Sequence, residues 1–167
     1  MASATKMAAA LVAGAAMLCA AHIATAEESG SVRLIRTYVQ DYTTIDQPGE
    51  RVTGGTLNGV VTILESSGGP FVEGTHDRAT CVVYIKRSEA GFDLEVPCET
   101  TASSGDRWYT FSERREGDVE AGSGGPGTMD ILGGTGPYEG VTGSCTYEVD
   151  YLPDGWVVMI ADCTWQK

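Results

Sequence analysis

Histidine is almost missing from this chain. Two occur in 167 residues, and one of them, His22, sits in an apolar N-terminal stretch. A Ser-His-Asp triad or a histidine-containing zinc site in the remainder would have to use His76. No C-x-x-C pair occurs, which argues against cysteine–zinc coordination, so no metal is expected. Basic residues are also scarce: 11 Lys and Arg stand against 23 Asp and Glu, a net charge of −12. Affinity for nucleic acid comes mostly from Lys and Arg on phosphates, so the balance argues against nucleic acid as a partner, and equally against anionic membrane surfaces. Beyond the first 26 residues no apolar run reaches the roughly 20 residues that span a bilayer, so no membrane insertion is expected. No sustained 3.6-residue apolar period is present either, which argues against helical layers.

What is present begins with the features of an export signal. Lys6 supplies a positive charge, Met7 to Ala21 is rich in Ala, Leu, Val and Met, and Ala24-Thr25-Ala26 is an A-x-A cleavage site. The expected division is a signal peptide over residues 1–26 and one domain over 27–167, secreted or periplasmic after cleavage near Ala26. A domain of that size buries about two-thirds of its unfolded surface.

Four cysteines follow the leader, in two pairs. Cys81 and Cys98 are equidistant from the midpoint of Ser88-Glu89-Ala90-Gly91, and Cys145 and Cys163 from Asp154 in Pro153-Asp154-Gly155. Residues equidistant from a hairpin turn sit opposite each other with Cα atoms about 4.5–5.5 Å apart, a separation that suits a disulfide. The first register sets Ile85 against Leu94 and Lys86 against Asp93. The second sets Tyr147 against Ala161, Val149 against Met159 and Tyr151 against Val157. Both sort apolar residues with apolar ones on the cysteine face. Export supplies the oxidising compartment such bonds need.

Thr, Val and Tyr positions separated by Gly-rich turns predict β structure throughout. Expected strands are Val32–Val39, Thr56–Glu65, Thr80–Arg87, Phe92–Glu99, Arg107–Arg114, Val119–Ala121 running on to Thr128–Leu132, Thr142–Leu152 and Trp156–Trp165. About eight antiparallel strands make either a barrel or a two-sheet sandwich, and composition does not separate them. A closed barrel removes exposed strand edges and is the expectation.

The run Gly133-Gly134-Thr135-Gly136-Pro137-Tyr138-Glu139-Gly140-Val141-Thr142-Gly143 resembles a signature of bacterial exported proteins related to the allene oxide cyclase barrel, a dirigent-like group. The positions of Cys81 and Cys98 are similar to those in members of that group. The resemblance implies an all-β, eight-stranded antiparallel β-barrel, and it implies homo-oligomers, trimers in the plant members or dimers. No catalytic residue carries over. Read physically, the glycines let the chain turn sharply, and Tyr138 is expected to fold over one barrel end as an apolar plug. Neither a Walker A lysine nor a third dinucleotide-motif glycine is present, so no cofactor is expected.

Candidate lining residues of an interior ligand site are Tyr84, Trp108, Tyr109, Phe111, Tyr147, Met159 and Trp165. For each, ordinary core packing is the competing reading. Glu113, in line with Tyr109 and Phe111, and His76 are the candidate proton-transfer groups. The leading expectation is a secreted barrel that binds a small apolar or aromatic molecule in its interior. A cofactor-independent cyclase or isomerase using the same pocket is the second. A filled barrel serving as a structural or protein-binding module is the third.

Overall fold

The computed structural model describes residues 28–167; the expected signal peptide lies outside the described residues. Eight antiparallel strands follow one another: β1 Ser29–Gln47, β2 Glu50–Ser66, β3 His76–Ser88, β4 Gly91–Thr101, β5 Arg107–Arg114, β6 Gly124–Gly134, β7 Thr142–Tyr151 and β8 Trp156–Gln166. Each pairs with its sequence neighbour, and β1 pairs with β8, which closes the barrel. Closure leaves Ser29 opposite Gln166 and Val39 opposite Trp156. The closed all-β barrel, expected over a sandwich because closure removes strand edges, is therefore the fold.

Side chains alternate between the two faces of the wall, as the two-residue strand period requires. Val32, Leu34 and Tyr38 of β1 turn inward, as do Cys81, Val83 and Ile85 of β3 and Val157, Met159 and Ala161 of β8. Both expected disulfides are present. Cys81 faces Cys98 and Cys145 faces Cys163, with Cα separations of 4.1 and 4.0 Å. All four cysteines point into the core. Disulfides suit an oxidising extracellular environment. Among the described residues, no helix is long and apolar enough to cross a membrane.

The largest departures from the expected strand boundaries are three. β1 runs on to Gln47 and β2 starts at Glu50. Most of the added residues are polar or glycine, in keeping with a hairpin arm that is largely exposed where β1 has no β8 partner beyond Val39. Val119–Ala121 belongs to the loop between β5 and β6, and β6 begins at Gly124. Lys86 lies opposite Asp93 as expected, yet its ammonium pairs with Glu50 at 2.6 Å. Asp93 pairs instead with Arg115, which also reaches Glu113 at 2.7 Å.

Candidate functional site

The barrel has two unlike ends. At the end where Glu28 and Lys167 pair, the β2–β3 loop folds Phe71 inward and a short 3₁₀ turn, Gly136–Tyr138, does the same with Tyr138. Gly136 adopts φ +58, and a Cβ there would overlap the Asp106 carboxylate, so the turn requires glycine. Phe71 meets Trp108 edge-on with centroids 5.4 Å apart and also packs on Tyr138 and Trp165. This aromatic plug seals the end, with Tyr138 in the expected role. Asp77 is buried beneath it and accepts a 3.4 Å hydrogen bond from Trp108 Nε1. Burial raises the Asp77 pKa, and the Trp108 bond only partly offsets that. Burial likewise pushes the Tyr138 hydroxyl up to about 12.

The barrel centre is nearly full. A cavity of about 30 Å³ remains, lined by Arg36, Tyr38, Leu57, Tyr147, Met159 and the Cys81–Cys98 pair among others. By the usual measure, a void of at least ~10–15 Å³ holds one water, so this space takes a water-sized species or two. Arg36 is fully buried here. Its Nη1 donates to Tyr38 Oη and Thr110 Oγ1, both at 3.1 Å, and its guanidinium lies 5.2 Å from the Trp108 ring centre.

The opposite end, formed by the hairpin turns, is open. A well of about 340 Å³ is lined by Gln40, Tyr42, Thr53, Ile85, Phe92 and Val119, with Arg51, Arg87 and Asp118 on its polar side. Arg114 lies behind Phe92, its guanidinium 5.0 Å from that ring and 5.5 Å from Tyr151. It separates Phe92, which faces the well, from Tyr151, which faces the central cavity. The buried Gln40 Oε1 has no protein hydrogen-bond partner, and Tyr42 Oη lies beside the Tyr151 hydroxyl without a bond of ordinary geometry to it. Burial drives the Tyr42 hydroxyl far above its ordinary pKa, so at neutral pH it is a donor.

The β5–β6 loop forms one wall of the well. Asp118 anchors it, accepting from Arg87 Nη1 at 2.6 Å and from the Val119 N–H at 2.6 Å, while its carbonyl accepts from Arg114 Nη2 at 2.8 Å. Burial alone would raise the Asp118 pKa, but the Arg87 bond and the backbone N–H together hold it below its usual value. Larger depressions, of about 740 and 1130 Å³, lie along the outer wall. The first borders a place where β6 is bare of side chains. Gly127 packs directly against the Tyr147 ring, and Tyr147 Oη donates to the Glu113 carbonyl at 3.1 Å.

The structure divides the residues expected to line an interior site. Trp108, Tyr147, Met159 and Trp165 are inside: Tyr147 and Met159 line the central cavity, whereas Trp108 and Trp165 belong to the plug. Tyr84, Tyr109 and Phe111 are outside. Cys98 lies opposite Thr110 and points inward, so the Trp108, Thr110, Ser112 face of β5 is the inner one. Glu113 shares the outer face and is paired with Arg115. His76 is exposed, with Nδ1 2.8 Å from Thr62 Oγ1. Neither group reaches the well. Arg36, Asp77 and Arg114 escaped the sequence reading, although each falls in phase with an inward row.

Comparison with protein-family models, with curated proteins and with solved structures gave no match.

Proposed function

We propose that this protein is exported and binds a small apolar or aromatic molecule in the open mouth of its barrel. The observation that carries the reading is the well of about 340 Å³, within the range of small-molecule sites, which run from roughly 300 to 1,000 Å³. Its lining suits such a ligand. Phe92, Ile85 and Val119 offer apolar surface, Gln40 offers an acceptor that no protein group satisfies, and Tyr42 adds a hydroxyl. The resemblance to allene oxide cyclase-like barrels is compatible with this placement. An interior site at the centre fits less well, because about 30 Å³ is free there. The cyclase or isomerase alternative finds no support from Glu113 or His76, both of which face solvent. Self-association belongs to the same proposal, supported by the exposed Val82, Tyr84 and Tyr109 on the outer wall, and sedimentation velocity tests it.

Titration with indole and benzoate, followed by amide NMR, tests the binding reading. The expected result is saturable shifts confined to Tyr42, Thr53, Phe92 and residues 118–121, weakened at least about tenfold by Phe92→Ala, since a lost aromatic contact is worth about 1.4 kcal/mol or more. An absence of shifts in the well would instead favour the filled-barrel module.

A further inference from the structure

We infer that the barrel centre holds a small monovalent anion, of chloride size, against Arg36. The site is distinct from the mouth and does not depend on what binds there. Arg36 is fully buried, and a guanidinium stays protonated at every accessible pH. A charge taken out of water in this way costs several kcal/mol unless it is neutralised and hydrogen-bonded. Among its protein neighbours, Arg36 has only neutral acceptors: Tyr38 Oη and Thr110 Oγ1, both bonded to Nη1.

The other edge of the guanidinium, Nε and Nη2, has no protein partner. This edge presents parallel N–H groups of the kind that hold an anion from two sides. Arg36 lines the central cavity, whose free volume is about 30 Å³. The remaining walls are Leu57, Leu94, Val96, Val149, Val157 and Met159, together with the Cys81–Cys98 bridge, Ser112, Tyr38, Tyr147 and Tyr151. None carries a negative charge. The one buried carboxylate of the described core, Asp77, is engaged with Trp108 Nε1 at the plug. Space and charge thus call for a compact anion, and an organic acid of any length is too large.

The test uses the whole folded domain. Thermal unfolding is followed in sodium chloride, in sodium bromide and in sodium gluconate, whose anion cannot fit, at matched ionic strength. Chloride and bromide should raise the melting temperature by roughly 3–6 °C for each tenfold increase above half-saturation, and gluconate should not. Arg36→Met should abolish the difference between the salts. Should that variant fail to fold, crystals of the wild-type protein grown with bromide decide the matter, because an anomalous peak within hydrogen-bonding distance of Nε and Nη2 is expected. A melting temperature that follows ionic strength alone, with no anomalous peak beside Arg36, would overturn the inference and leave water as the partner.

Discussion

Asp118 Oδ2 accepts a 2.6 Å hydrogen bond from Arg87 Nη1, and this pair straps the β5–β6 loop to β3 across the barrel mouth. Both side chains are partly exposed, so solvent screens the pair and Asp118→Asn should cost no more than about 1 kcal/mol at neutral pH. The folded-state pKa of Asp118 is depressed. Its contribution is therefore complete above the unfolded carboxylate pKa of about 3.9 and fades as pH falls through the lower folded value. Urea midpoints of wild type and Asp118→Asn should differ at pH 7 and differ less at pH 2. An equal gap at both pH values would contradict the pairing.

Asp77 carries the opposite sign. Its pKa is raised by burial, so the folded state prefers the proton, and stability is lost as pH climbs from the unfolded pKa through the folded one. Asp77→Asn keeps an acceptor for Trp108 Nε1 and removes the charge. It should be at least as stable as wild type at pH 7, with the difference gone below about pH 3. A clear loss at pH 7 would mean that the ionised carboxylate has a partner beyond Trp108.

The plug depends on Phe71, which touches Trp108, Tyr138 and Trp165 together. Removing a buried phenylalanine typically costs about 3–5 kcal/mol. Phe71→Ala should therefore lower the urea midpoint and shift tryptophan emission to longer wavelength as water reaches Trp108. Unchanged emission would show that another group seals this end.

Gly127 supports a close approach. A Cβ placed there would overlap the Tyr147 ring and lie 2.7 Å from the Glu113 carbonyl oxygen. Gly127→Ala should destabilise by about 1–3 kcal/mol through overpacking. It should also alter the near-ultraviolet circular dichroism of the tyrosines, whereas a neutral outcome would mean that Tyr147 is free to move.

The fold was legible because cysteine spacing and strand alternation report the same hairpin registers. Lys86 illustrates the limit of that reading. Register places Asp93 opposite, but the neighbouring strand brings Glu50 closer, and strand order is a tertiary fact. The inner face of β5 was ambiguous for a similar reason. Tyr109 and Phe111 are the more apolar choice, yet Trp108 turns inward because β5 continues the phase set by Cys98 across the ladder. The candidate well was the least legible part. It is assembled from Tyr42, Phe92 and Val119, three segments far apart in sequence, and its size depends on where one loop is strapped. Arg36 and Arg114 did leave a trace: each is a cation in step with an inward row.

Both sulfur bridges are buried inside the cylinder. A reductant in the surroundings has little access to them while the wall is intact, so the unfolding barrier slows their reduction. The same geometry acts in the other direction during biogenesis. Oxidation has to be completed on open ribbons, before β1 docks against β8, and a chain that closes early would trap its thiols out of reach.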